Sequence, residues 1–209
     1  MPLYNVEAIN IRSRNFGEAD KIITLFSRQQ GKIHAIAKGA RRTSSKFGGR
    51  LEIFTCNQLL LASARTLDII SQCETIESFY RLREEKEKLN AGVYILRLVD
   101  TITEDRQKNV ELFDLLLDSL FALHESTDAD ITSRAFEVKL CDIEGFLPSE
   151  DMLEKKYKKL PLIVSRLRGD YGADTADLTR KDIEISAKVF KELISDHTGQ
   201  DIRRLKAVI

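Results

Sequence analysis

Apolar and polar positions alternate with a period of two through the first part of the chain and recur at three to four beyond Glu77. Leu3 to Arg12 carries β-formers and apolar residues with no Gly or Pro, so it is predicted as a strand. Ser13 to Glu18 supplies turn residues, and Lys21 to Ser27 alternates well enough for a second strand. Gln29-Gln30-Gly31 turns into a third, where Ile33, Ala35 and Ala37 face one way and Lys32, His34, Ile36 and Lys38 the other. Leu51 to Ala62 and Thr66 to Cys73 complete the set as a hairpin joined through Ser63-Ala64-Arg65. Five short strands are the strand count of an OB-fold barrel.

Helical stripes follow. Leu82, Leu89, Val93, Leu96 and Val99 form one, Leu112, Leu116 and Leu120 with Phe113 and Leu117 a second, and Phe136, Leu140 and Ile143 a third that stops at Gly145 and Pro148. Thr179 is placed to cap a last helix whose inner face is Ile183, Ala187, Phe190 and Ile194, with Gly199 at its end. The fold class is therefore α+β, with a barrel over residues 1–78 and a helical domain over 79–209. Residues 149–178, including EKKYKK and GDYGADT, show little periodicity and are predicted as an irregular excursion.

Composition adds one asymmetry. Lys plus Arg equals Asp plus Glu at 33 each, but residues 1–50 hold ten cations against three acids, an excess of +7 that the remainder cancels. Six of those cations, Lys32, Lys38, Arg41, Arg42, Lys46 and Arg50, fall between Gly31 and Arg50 with no acid among them. Like charges at that density repel unless a polyanion compensates them, so this stretch is the candidate nucleic-acid surface. The start of the chain lacks a signal-peptide pattern and no apolar run reaches the roughly 20 residues of a membrane span, so a soluble, cytoplasmic protein is expected. Cys56, Cys73 and Cys141 are far apart, which fits a reducing compartment and gives no metal-ligand spacing.

Gly17-Glu18-x-Asp20-Lys21-Ile22, Gly31-Lys32, Ala37-Lys38-Gly39-Ala40-Arg41-Arg42 and Ser45-Lys46-Phe47 together closely resemble the opening of the RecO family of bacterial recombination mediators. Phe136 to Pro148, FEVKLCDIEGFLP, is similar to that family's helix and its Gly-aromatic-x-Pro break. The resemblance implies an OB-fold followed by a helical domain, and a role in DNA repair and recombination. It also implies binding of single- and double-stranded DNA, strand annealing, and action with RecR to place RecA on DNA coated by single-strand binding protein. A bacterial, nucleoid-associated location goes with that role. Many members carry four cysteines after the position of Pro148, whereas this chain reads Ser149-Glu150-Asp151-Met152 and has no cysteine beyond Cys141. Zinc needs about four Cys or His ligands at close spacing. No metal and no cofactor are expected.

The candidate DNA contacts are thus Lys32, Lys38, Arg41, Arg42, Lys46 and Arg50, with Arg14 at the barrel rim. Phe47 is a candidate for stacking on an unpaired base, the other reading being a barrel plug, and Phe16 is expected to be a plug. Arg134 and Lys139 are candidate contacts for the acidic tail of single-strand binding protein, while Phe136, Leu140 and Ile143 read as core. Glu18 and Asp20 are expected to orient their turn or hold a salt bridge rather than catalyse. Gly39-x5-Ser45-Lys46 lacks the order of a phosphate loop. No acid, His or Cys cluster has catalytic spacing, so a non-enzyme is expected. The alternative is an adaptor whose barrel docks an acidic protein without touching DNA.

Overall fold

Alternation carries Leu3–Phe16 into the longest strand, β1, which runs four residues past its predicted end at Arg12. The turn residues Ser13 to Phe16 are held as strand because each faces a residue of β2 (Asp20–Ser27), from Ser13 against Ile23 to Phe16 against Asp20. β3 (Gly31–Ala37) pairs antiparallel with β2, β4 (Cys56–Ala62) with β1, and β5 (Asp68–Glu77) with β4. A short parallel contact, Ala35 to Asp68 and Ile36 to Ile69, closes the barrel in the order β1-β2-β3-β5-β4. This computed structural model describes residues 1–125, 128–169, 171, 175, 177–202 and 205.

The inward residues of the five strands, among them Val6, Ala8, Ile23, Leu25, Ile33, Ala35, Leu59, Leu61 and Ile70, fill the barrel. Phe47 and Leu51 join them from the loop between β3 and β4. The predicted strand from Leu51 to Ala62 is accordingly shortened. Gly48–Leu51 forms a 3-10 turn, Leu51 turns inward, Phe54 takes a φ of 74°, and pairing begins only at Cys56. A strand cannot continue through a left-handed residue.

The chain divides into two units, Met1–Tyr80 with Thr103–Asp114, and Arg81–Ile102 with Leu115–Ile209. The second contains α1 (Arg81–Glu84), most of its neighbour helices, and their core. α2 (Lys86–Ile102), α4 (Ala129–Ile143), α6 (Leu160–Arg168) and α7 (Arg180–Thr198) pack with α4 at the centre, and α5 (Glu150–Lys156) packs on α6. α3 (Val110–Glu125) starts in the first unit and ends in the second. Phe136, Leu140, Phe190 and Ile194 are fully buried, whereas Ile143, Ile183 and Ala187 of the expected stripes are half-buried. α7 is closed by a capping box between Thr179 and Asp182 and by Gly199 at φ 68°.

The expected irregular excursion is corrected by α5 and α6. Leu153, Leu160, Ile163, Val164 and Leu167 supply buried faces too short to register as periodicity, and Pro161 sits in the first turn of α6, where its missing N–H costs nothing. Within GDYGADT, residues 170 and 172–174 lie outside the described residues.

Candidate nucleic-acid interface

Residues opposite one another in an antiparallel pair lie on the same face of the sheet. Ile23, Leu25, Ile33, Ala35 and Ala37 point inward, so Ile22, Thr24, His34 and Ile36 point outward. On β1, Arg12, Arg14 and Phe16 face Thr24, Ile22 and Asp20, and therefore belong to the same outer face. Lys38 continues the outward row of β3 and is exposed. The cationic face anticipated for β3 thus extends across β2 onto the end of β1.

The half of that face nearest Gly31 is covered by the chain itself. Lys32 Nζ donates to the Thr103 carbonyl at 2.8 Å, the Arg106 amide donates to the Lys32 carbonyl at 2.9 Å, and His34 Nε2 lies 3.1 Å from Asp105 Oδ1. Phe26, on the same outer row, stacks on Phe113 with ring centroids 6.4 Å apart, while Arg28 bonds Glu7 at 3.0 Å and pairs with Asp114. The segment Thr103–Asp114, part of the first unit, is a strap over this half, and Arg106 pins it. Its guanidinium reaches Asp68, Tyr4 and Gln30, and the buried Asp68 carboxylate also accepts the Tyr4 hydroxyl. Burial, reinforced by that carboxylate, pushes the Tyr4 phenol up to about 12.

The half nearest Ala37 is open. Gly39, at φ 69°, turns the chain into the loop, and its amide donates to Asp20 Oδ1 at 2.7 Å. The Arg41 amide donates to the Ala19 carbonyl at 2.8 Å, and Arg41 Nη1 to the Gly17 carbonyl at 3.0 Å. The β1–β2 turn and the cationic loop are therefore one bonded unit. Asp20 fulfils the orienting role expected of it, across the loop rather than toward Lys21, which pairs with Glu52 at 2.9 Å. Farther along, Lys46 Nζ donates to the Ser71 carbonyl at 2.6 Å and Arg50 Nη1 to the Lys46 carbonyl at 2.8 Å.

Two buried amides hold the loop's far end. Asn10 Nδ2 donates to the carbonyls of Arg50 at 2.9 Å and Glu52 at 3.0 Å, and Asn57 Nδ2 donates to the Arg50 carbonyl at 2.9 Å. A buried amide must find such partners. In the sequence the only signal for this anchor is an Asn inside each of two apolar strands, Asn10 and Asn57.

Of the predicted contacts, Arg14, Lys38, Arg41 and Arg42 are brought to the open half and are exposed, and Lys46 and Arg50 lie exposed along the loop. Lys32 is not among them. It is 9% exposed and bonded to the strap, because its long stem packs where the face is covered. Of its two readings Phe47 takes the barrel plug, whereas Phe16, expected to be a plug, is not one. Phe47 is 2% exposed inside the barrel, which leaves no ring face for a base, whereas Phe16 is 49% exposed on the outer face beside the turn. Loop closure drives Phe47 inward to fill space between the strands, and β1's extra length carries Phe16 out.

In the helical unit a cavity of about 760 Å³ is lined by Tyr94, Ser133, Arg134, Arg180 and Lys191 among others. Arg134 belongs to it but pairs at 3.3 Å with the fully buried Glu137, whose carboxylate also accepts the Tyr94 hydroxyl. Burial raises the Glu137 pKa and lowers that of Lys191, which sits 4.8 Å above the Tyr94 ring. Lys139 is not brought to Arg134. Its ammonium lies 3.9 Å over the Tyr171 ring. The three cysteines are buried, and desolvation pushes Cys56 up to about 12 and Cys73 up to about 11, far from nucleophilic range. Among the described residues no group of three or more His, Cys, Asp or Glu could hold a metal ion, and no helix is long and apolar enough to cross a membrane.

Residues 1–79 match the family described as Recombination protein O N terminal, and residues 83–152 match Recombination protein O C terminal. The chain belongs to the RecO family. It is 42% identical over 148 residues to a DNA repair protein RecO of Pelotomaculum thermopropionicum, covering 71% of this chain and 57% of that one. A DNA repair protein RecO of Symbiobacterium thermophilum is 43% identical over 150 residues, 71% of this chain and 59% of its own. One from a Nocardioides species is 45% identical over 123 residues, 58% and 50% respectively. The chain thus spans between half and three-fifths of these RecO relatives' length.

Proposed function

We propose that this chain is a non-enzymatic DNA repair and recombination mediator whose barrel domain, residues 1–78, binds single- and double-stranded DNA. The observation that carries this reading is the cluster of exposed cations Arg14, Lys38, Arg41 and Arg42, joined by bonds between the β1–β2 turn and the loop after β3, in a chain of the RecO family. Strands 2 and 3 and the first hairpin loop are also where OB-folds take oligonucleotides. The mechanism is charge neutralisation. Cations that cover phosphates of two strands at once reduce the repulsion that slows annealing, and they release counterions in doing so. Lys46 and Arg50 extend the track.

The partners in this reading are RecR, single-strand binding protein and, indirectly, RecA, in the cytoplasm at the nucleoid. The helical domain, residues 79–209, takes the acidic tail of single-strand binding protein, and the cavity with Arg134, Lys191 and Arg180 offers cations for its carboxylates. The test is annealing of complementary oligonucleotides with and without single-strand binding protein. Acceleration in both conditions supports the mediator role. Acceleration of neither, together with salt-resistant binding to an acidic protein, would replace it with the adaptor reading.

A further inference from the structure

The cations of the open face account for phosphates, and a phosphate contact reads no base. Phe16 adds a different kind of group. It is 49% exposed although its strand partner Asp20 is itself held by the Gly39 amide, so the backbone beneath the ring is fixed on both sides. Arg14 lies two residues away on the same outward row, and Arg41 bonds the carbonyl of the next residue, Gly17. Among the described residues the other exposed large apolar side chains, such as Leu3, Ile76, Phe121 and Met152, are not part of this bonded turn and loop. A large ring left in water costs apolar burial, and the turn's polar composition does not require an aromatic there.

We propose that Phe16 is a stacking platform for one unpaired nucleobase, and that it adds affinity for single strands that a duplex does not receive. The proposal rests on the reading of this face as a DNA surface. With Arg14 and Arg41 beside the ring, a strand whose phosphates lie on the cations brings a base over Phe16. A base in a duplex is already stacked on both sides and cannot reach it. Stacking tolerates any base, because each has a π face.

The test compares the parent chain with Phe16→Ala and Phe16→Trp against a single-stranded oligonucleotide, the same strand with abasic sites throughout, and its duplex. Phe16→Ala is expected to weaken single-strand binding about 5- to 150-fold, the range for loss of one base–aromatic stack. Duplex and abasic affinities should stay at the parent level, and Phe16→Trp should retain single-strand binding. A 2-aminopurine in the strand should be quenched by the parent and not by Phe16→Ala. Equal losses on single strand, abasic strand and duplex, or no loss on any, overturn the stacking role while the DNA reading stands. A parent chain that binds none of the three overturns that reading as well.

Discussion

Lys32 Nζ donates to the carbonyl of Thr103 at 2.8 Å, joining residues 71 positions apart in the chain. The bond turns a cation that composition marks for DNA into a fastener for the strap over β3. Replacing Lys32 by Met keeps the stem and removes the charge. Stability in urea is expected to fall by about 1.5–3 kcal/mol, the usual worth of a hydrogen bond to a charged group. The salt dependence of oligonucleotide binding should not move. Lost affinity with unchanged stability would return Lys32 to the interface.

The same strap sets the need for a glycine at position 31. Gly31 has a φ of 67°, and a Cβ there would stand 1.8 Å from the Gln107 carbonyl oxygen. Gly31→Ala is expected to destabilise by about 3 kcal/mol or more, above the roughly 1–2 kcal/mol that a left-handed φ alone costs. Equilibrium urea denaturation measures it. A loss confined to the φ cost would mean that Gln107 moves aside freely.

The cap of α7 gives the helical unit a pH dependence. Hydrogen bonds from the Thr179 hydroxyl and amide hold the Asp182 carboxyl below its ordinary 3.8, with a further bond from the Tyr157 hydroxyl. A depressed folded pKa contributes stability that is present above 3.8 and is lost as the pH falls through the lower folded value. Thr179→Ala should therefore cost about 1 kcal/mol at neutral pH. The gap between variant and parent should narrow as the pH falls below 3.8 and the Asp182 carboxylate is neutralised, leaving the part owed to the bond from the Asp182 amide to the Thr179 hydroxyl. A gap that stays constant or widens in acid would reverse the assignment.

The barrel was legible because its local signals agree. Alternation, Gly31, Gly39 and the Ser63-Ala64-Arg65 turn all mark the boundaries that the pairing later uses. α7 was legible for the same reason, since Thr179 and Gly199 state both ends. The strap was not. Thr103 to Asn109 is polar and aperiodic, and its place against Lys32 depends on a contact far along the chain. Nor did the sequence say which of Phe16 and Phe47 would be buried, because both stand beside a glycine and the answer lies in how the loop closes over the barrel. α5 and α6 were hidden by their brevity, with one to four buried positions each and a proline that reads as a breaker until it is seen in a first turn.

With the barrel bound to DNA as proposed, the open half of its outer face, not the whole basic strand, neutralises the phosphates. Fluorescence anisotropy with a single-stranded oligonucleotide across a salt series tests it, comparing the parent with Lys38→Ala/Arg42→Ala. Each lost phosphate contact lowers the log–log slope by about 0.7 for single strands, so the double variant should show a slope smaller by about 1.4. Affinity at low salt should fall with it, for every sequence tried. Parallel slopes, with affinity unchanged at low salt, would mean that Lys38 and Arg42 touch no phosphate.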